Sequence, residues 1–308
     1  MSRIVYNMPN ADYHAHPALG STTLKRWLHS PLDALTPVAK TDAMRRGTLI
    51  HEALEDVHAF LARYTLPPTR EQYADAVQAI ADALPDKLAD LRALVDAVGA
   101  PCKARSRDDL AEAVALYIIA QCQVGETISL DDWVHVALAR GATLSHPAVA
   151  ATLDASKQRV AEASILWTDE RTGIECKCRP DVLCLDTGTI IDWKSAADPS
   201  PRAFDKAAGA MLYHLSAAHY VDGIARHFGV SHGDLQFAFG VTPSALATPE
   251  RVTVRTVDED TIARGLALRD KALDRVAEYR LRKEQGTAWD GYADAPLPLS
   301  VPQWADRI

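Results

Sequence analysis

Cys178-Arg179-Pro180-Asp181-Val182-Leu183-Cys184-Leu185-Asp186-Thr187-Gly188-Thr189-Ile190-Ile191-Asp192-Trp193-Lys194 reads as two strands joined by a tight turn. Val182 to Leu185 form the first apolar run, Asp186 to Thr189 the turn, and Ile190-Ile191 the start of the second run. Asp181 heads the first strand and Asp192 ends the second. A hairpin brings those ends together, so two carboxylates and the Lys194 ammonium converge at one edge of a sheet. Burying three charges beside apolar strands is costly unless they pair or hold a metal.

Two carboxylates at one point suit a hard cation with oxygen ligands, such as Mg²⁺. Such an ion polarises a phosphoryl oxygen and acidifies a bound water. Lys194 follows Asp192 by two residues, so on a strand the two side chains share a face. An ammonium there orients an attacking water or neutralises charge in the transition state, which is the chemistry of phosphodiester hydrolysis. The competing reading is a surface hairpin with a weak Asp192–Lys194 ion pair. The triplet alone is common, but the Arg179-Pro180-Asp181 start, the spacing and the hairpin together favour the site.

Pro180-Asp181 followed by Asp192-Trp193-Lys194 resembles the PD-(D/E)XK nuclease signature. The surrounding sequence resembles more specifically the RecE exonuclease family (exonuclease VIII type, of phages and prophages). The matching pieces begin with Tyr13-His14-Ala15-His16-Pro17, Ser21-Thr22-Thr23-Leu24 and Arg46-Gly47-Thr48-Leu49-Ile50-His51. They continue with Arg179-Pro180-Asp181, Asp192-Trp193-Lys194-Ser195, Tyr213-His214 and Tyr220 with Asp222-Gly223, and close with Leu299-Ser300-Val301-Pro302-Gln303-Trp304. Residues from about 65 to 145 match poorly.

The resemblance implies an α/β fold of PD-(D/E)XK type, a central mixed sheet flanked by helices, with a helical insertion. It implies a Mg²⁺-dependent exonuclease, with Mn²⁺ able to substitute, that degrades linear double-stranded DNA 5′ to 3′. The 3′ tail left behind would serve a RecT-like or Bet-like annealing protein in recombination. His51 takes the place of a helical metal ligand in a Gly-x-x-x-His motif, beside Asp181 and Asp192. Glu162 is a candidate for a further carboxylate, with a solvated strand end as the competing reading. Lys25, Arg45 and Arg46 are candidates for a 5′-phosphate site, although each by itself also reads as a solvated surface charge. Ser195 and Tyr220 join the candidate DNA contacts. Relatives carry Gln-x-x-x-Tyr on the helix of Tyr220, but Ser216 stands at the glutamine position and removes that contact. The four-cysteine pattern of the iron–sulfur nucleases is absent. Relatives form rings around DNA, so a trimer or tetramer is expected. Two other functions stay open: a RecB-like single-strand or structure-selective nuclease, and a non-catalytic DNA-end-binding recombination protein.

The chain has 308 residues, enough for one large α/β domain or a core with an inserted subdomain. The start, Met1 to Asn7, has no apolar signal core, and no run is long enough to span a bilayer, so a cytoplasmic protein without membrane contact is expected. The five cysteines are an odd, scattered set, for which reduced thiols are the default. Cys176, Cys178 and Cys184 read as small buried residues rather than a zinc site. The net charge of −8 leaves DNA binding to a local basic stripe, with a cation needed before phosphate can approach the carboxylates.

Three segments are expected: an N-terminal arm with helices (1–64), a helical insertion (65–145) and the catalytic core (146–308). Residues 1–20 read as an arm or loop, and Ser21 as the cap of a short helix. A helix over about 43–62 places Ile50, Leu54, Val57 and Leu61 on its buried stripe, with His51 beside it. His51-Glu52-Ala53-Leu54-Glu55 misses the zincin motif, since Glu55 replaces the second histidine. Insertion helices are expected over 70–84, 86–98, 107–123 and 130–140. A helix–basic link–helix at 91–110 faintly resembles a SAP-type DNA-contacting unit, and a packed helical pair is the stronger reading. Strands follow at 162–167, 174–178, 236–241 and 251–257. One long helix is expected from the Pro201 region to Phe228, another from an Asp258 cap to Glu284, and a proline-rich tail over 296–304 lying on the surface.

Overall fold

The computed structural model describes residues 2–39, 41–98, 102–103, 105–123, 125–244, 247–292 and 295. The chain divides into two compact units, Met1–His51 with Ala139–Ile308, and Glu52–Leu138. The N-terminal segment runs through β1 (Ser2–Val5), α1 (Asn10–Ala15), α2 (Ser21–Trp27), α3 (Pro31–Leu35) and α4 (Asp42–Glu55). Next come α5 (Val57–Arg63), β2 (Tyr64–Thr65), α6 (Ala74–Ala83), α7 (Leu88–Val98), α8 (Arg107–Cys122), β3 (Glu126–Thr127) and α9 (Leu130–Ser145). The remainder is α10 (Pro147–Ala155), β4 (Arg159–Ala161), β5 (Ser164–Thr168), β6 (Glu175–Cys178), β7 (Val182–Cys184), β8 (Thr189–Ala196), α11 (Pro201–Ala210), α12 (Tyr213–Phe228), β9 (Gln236–Pro243), β10 (Thr253–Val257) and α13 (Glu259–Glu284).

The central sheet has five strands in the order β10-β9-β8-β7-β4. It is mixed: β8 and β9 run parallel, joined by a crossover through α11 and α12, and the other neighbours are antiparallel. A second, antiparallel sheet has the order β1-β5-β6. Leu183, Ile190, Phe237, Phe239 and Val241 of the central sheet share one core with Phe204 of α11, Leu215 and Ile224 of α12, and Leu273 of α13. Trp193 lies on the other face, over Gly240: a Cβ there would come 2.3 Å from its ring, so only glycine permits this approach.

The hairpin forms as its sequence suggests. Val182 pairs with Ile191, Leu183 with Ile190 and Cys184 with Thr189. Gly188 supplies the positive φ of 67° that the turn needs. Continued outward by one residue, that register sets Asp181 level with Asp192. Strand alternation from the buried Ile190 carries Asp192 and Lys194 on the core face, opposite Phe239 and Val241. The polar pair is therefore the outer continuation of an apolar row.

Several boundaries differ from the sequence reading. Residues 1–20 include β1 and α1 rather than loop alone. The helix expected over 43–62 breaks at Asp56, whose carboxylate accepts from the His58 and Ala59 N–H groups and starts α5. Ile50 is buried as expected, and so are Leu49, Ala53 and Phe60, whereas Leu61 is exposed. Ser21 does not cap α2; it is the first helical residue, and the preceding Gly20 is the cap. The helix to Phe228 is two helices, interrupted at Leu212 in a left-handed conformation. Asp258 does cap α13, accepting from Thr261 N–H at 2.8 Å. Within the second unit, Leu91 and Val95 of α7 pack with Leu110, Ala111 and Val114 of α8. Arg107, the first residue of α8 after the basic link, donates to the carbonyls of Ala81 and Leu84, so it ties helices together. Part of that link (99–101) and the proline-rich tail (296–304) lie outside the described residues.

Candidate active site

Asp181 stands where β7 begins, directly after Pro180. Its Oδ2 accepts from the Trp193 N–H at 2.5 Å, which fixes the carboxylate across the hairpin end. Its Oδ1 lies 3.8 Å from His51 Nδ1. Asp192 is 5% exposed, and the Lys194 ammonium is its ion-pair partner. Burial raises the Asp181 carboxyl above its usual range, and the Asp192 charge adds to this, against opposing contributions from His51 and Lys194. Burial alone would lower the Lys194 ammonium, but Asp192 and Asp181 outweigh it and hold its pKa above the ordinary lysine value. The hairpin thus gathers more negative charge than its own lysine relieves.

His51 reaches this point because α4 rests on the end of β8. A Cβ on Gly47 would sit 3.0 Å from Ser195 Oγ, tighter than ordinary packing. Gly47 and His51 are one helical turn apart on the same face. The small residue lets the helix approach, and the approach carries the imidazole to Asp181.

Glu162 lies between β4 and β5 with φ of 51°, a left-handed conformation unusual for a side chain of its size. Its N–H donates to Asp181 O at 3.4 Å, while its carboxylate accepts from Arg179 at 3.2 Å. The backbone therefore touches the hairpin, and the side chain is directed to a guanidinium. Arg179 also donates to Ser164 Oγ at 2.8 Å and to Met8 O at 2.9 Å, and lies 4.1 Å from the Tyr13 ring centroid. Lys177 donates to the carbonyls of Tyr13 and His16, with its ammonium 4.7 Å from the same ring. Two cations of one strand segment thus staple the N-terminal segment beside the site. Burial, reinforced by the nearby acidic groups including Cys178, Glu162 and Asp181, raises the Tyr13 phenol well above its usual range.

Sequence reasoning missed Tyr13, Lys177 and Arg179 as site-building residues. The legible signal was two cations alternating with cysteines on a strand that leads directly into Pro180-Asp181. Cys176, Cys178 and Cys184 are buried, and burial pushes the Cys176 thiol up to about 12.

Of the candidate DNA contacts, Lys25 shares an aromatic neighbour with Lys194. Its Nζ lies 5.0 Å from the Tyr213 ring centroid, and Lys194 Nζ lies 5.4 Å from the same centroid. Burial, then the Lys194 charge, lowers the Lys25 ammonium to about 8. Tyr220 is half-buried, packs edge-on against Phe237, and has its phenol raised by burial and then by Asp192. Ser195 is half-buried against Gly47. Arg45 and Arg46 lie on α4 before His51, exposed and half-buried respectively. Ser216 is buried, with its hydroxyl 3.2 Å from that of Ser21.

The donor set suits a hard divalent cation: two carboxylates side by side, one raised by burial and by the other's charge, with an imidazole on the first. Among the described residues, no group of three or more His, Cys, Asp or Glu side chains is drawn together at metal-holding distances. His51, Asp181 and Asp192 would be the first residues to close on an ion.

Residues 143–288 match the model of a family described as a PDDEXK-like domain of unknown function (DUF3799). That span contains Glu162, Asp181, Asp192 and Lys194, and leaves Lys25 and His51 outside. The mixed sheet, its flanking helices and this match define an α/β fold with a PD-(D/E)XK-type core. Among solved structures, a protein from Eubacterium rectale assigned as an exonuclease is similar over 92% of this chain and 89% of its own, with 12% identity and a TM-score of 0.45. A protein designated SSO0001 is similar over 73% of this chain and 84% of its own, with 13% identity and a TM-score of 0.26. No curated protein matches the chain. No helix among the described residues is long and apolar enough to cross a membrane.

Proposed function

We propose that this protein is a divalent-metal-dependent nuclease of RecE type, a 5′-to-3′ exonuclease on linear double-stranded DNA. The observation that carries this reading is the meeting of Asp181, Asp192, Lys194 and His51 at the end of the β7–β8 hairpin. Asp181, Asp192 and His51 would hold the cation, Mg²⁺ with Mn²⁺ as a substitute, and Glu162 would join them if its carboxylate turned from Arg179. The bound ion would supply Lewis acidity toward a phosphoryl oxygen and a more acidic water.

The protein's own groups account for the rest of the chemistry. Lys194, held charged by its two aspartates, orients the attacking water and meets the negative charge that grows on the phosphoryl group. The Trp193 N–H keeps Asp181 from rotating out of place. Arg179 sets the position of Glu162 and of the N-terminal segment that carries Tyr13. The reading extends to a 3′ single-stranded tail as product, a RecT-like or Bet-like annealing partner, a trimeric or tetrameric ring and a cytoplasmic location.

The test is digestion of one linear 5′-phosphorylated duplex, labelled at either end, beside a covalently closed circle, with Mg²⁺ or with EDTA. The reading expects early release of the 5′ label in short products, an intact circle and no reaction in EDTA. Cutting of the circle or preference for single strands would replace it with a RecB-like nuclease. DNA binding without digestion in Mg²⁺ or Mn²⁺ would replace it with an end-binding protein.

A further inference from the structure

Lys25 has a setting unlike that of the other buried lysines. Lys194 is neutralised by Asp192, and Lys177 is satisfied by two carbonyls. Among the described residues, no carboxylate lies within ion-pair distance of Lys25 and no hydrogen bond fixes it, although it is half-buried. The Asp192 carboxylate favours its charge only from beyond ion-pair distance, and burial outweighs it. An ammonium in a protein wall without a directly paired carboxylate is costly unless it meets an anion.

Its position is set from two sides. The buried contact between Ser21 and Ser216 docks α2 on α12. Lys25 follows Ser21 by one helical turn on the same face, and Tyr213 precedes Ser216 by nearly one turn on its own helix. The side chain is thus carried along α12 to the Tyr213 ring. That ring is wedged between Phe204 and Phe239, with centroids 5.8 and 5.6 Å away. Lys194 approaches the same ring from β8. One fixed aromatic side chain therefore holds two ammonium groups near each other, one neutralised and one not.

We propose that Lys25 and Lys194, gathered on Tyr213, form a two-ammonium seat for a backbone phosphate of the nucleic-acid strand being cut. The proposal rests on the nuclease reading of the same site and makes it more specific: Lys25 contacts substrate phosphate at the reacting centre rather than in a remote 5′-phosphate pocket. A phosphodiester carries one negative charge on two non-bridging oxygens, which matches the one ammonium of the two that has no carboxylate in ion-pair contact. Lys25 contacts phosphate, and Tyr213 is a positioning residue that holds the two lysines. Selectivity is for the phosphate backbone and not for a base.

The test measures binding of a linear duplex by fluorescence anisotropy across a salt series, with Ca²⁺ in place of Mg²⁺ and the duplex verified intact. One lost phosphate contact lowers the slope of log K against log salt by about 0.9. Lys25→Gln is expected to show that loss, and Lys25→Arg to restore the slope. An unchanged slope in Lys25→Gln would overturn the seat. If Lys25→Gln does not fold, the wild-type protein is acylated with an amine-reactive reagent and Lys25 is followed by mass spectrometry. Protection of Lys25 by duplex supports the proposal, and equal modification with and without duplex overturns it. A reduced slope in Lys25→Gln with no digestion by wild type in Mg²⁺ would keep the seat and remove the nuclease. Digestion with an unchanged slope would do the reverse.

Discussion

Replacing Lys194 by methionine removes the only cation ion-paired with Asp192 among the described residues while keeping most of the side-chain volume. Asp192 is 5% exposed, so its carboxylate would remain in a poorly solvated place with the Asp181 carboxylate nearby. Breaking a buried pair from one side costs about 3–5 kcal/mol. The Lys194 side chain is 21% exposed, and water reaching that gap moves the expectation to about 3 kcal/mol. At about 2–4 °C per kcal/mol this is a fall in Tm of roughly 6–12 °C for the unit that holds the sheet. The assay is thermal unfolding followed by calorimetry in EDTA at neutral pH, then with Mg²⁺. In Mg²⁺ the gap between variant and wild type should narrow, because the carboxylates regain a countercharge. Adding Asp192→Asn to Lys194→Met should recover part of the loss, giving a favourable coupling in the double-mutant cycle. The pH dependence has a fixed sign. The folded-state pKa of Lys194 is raised, so its contribution is complete below the ordinary value of 10.5 and is lost as pH rises through the folded value. Equal stability of Lys194→Met and wild type in EDTA would refute the buried-pair reasoning.

Three further outcomes follow from the packing and the charges. Gly265→Ala would place a Cβ 2.1 Å from His214 O and 2.7 Å from Ala218 Cβ, forcing α12 and α13 apart; a urea melt should show a loss of about 3 kcal/mol. Lys25→Met should stabilise the metal-free protein by about 2 kcal/mol at pH 7, allowing for water at a half-buried ammonium. The folded pKa of about 8 lies below the ordinary 10.5, so the unfolded chain binds the extra proton between those values. Wild-type stability therefore gains from this residue as pH rises from about 8 to 10.5, and Lys25→Met should lack that gain in denaturant titrations. Arg179→Met removes the contacts to Ser164, Glu162 and Met8, and should cost about 3 kcal/mol. Hydrogen exchange in that variant should show faster opening around residues 8–16 than elsewhere.

The hairpin was legible because its turn, apolar runs and terminal carboxylates are all local in sequence. The register then follows from the turn, so the level placement of Asp181 and Asp192 needed no distant information. The Gly-x-x-x-His motif pointed to His51, but what carries its imidazole to Asp181, Gly47 resting on Ser195, depends on how a helix meets a strand 148 residues later in the chain. The contacts of Lys177 and Arg179 to the N-terminal segment were hidden for the same reason, since their acceptors there are backbone carbonyls at Met8, Tyr13 and His16. Carbonyl acceptors carry no side-chain signature. The break at Asp56 was visible in principle as an aspartate cap, but a continuous apolar pattern across it concealed the break. Lys25 read as one of three candidate phosphate cations, each equally a solvated surface charge by itself, and the docking of α2 on α12 is what carries it to Tyr213.

The most direct test of the central claim is hydrolysis of a linear duplex in Mg²⁺ by wild type and by Lys194→Ala, at protein concentrations giving equal DNA occupancy. If the Asp181–Asp192–Lys194 cluster is the catalytic centre, wild type releases nucleotides and the variant is slower by roughly a thousandfold, the range found when one electrostatic catalytic group is removed. Equal rates in the two proteins would contradict the assignment of catalysis to this cluster.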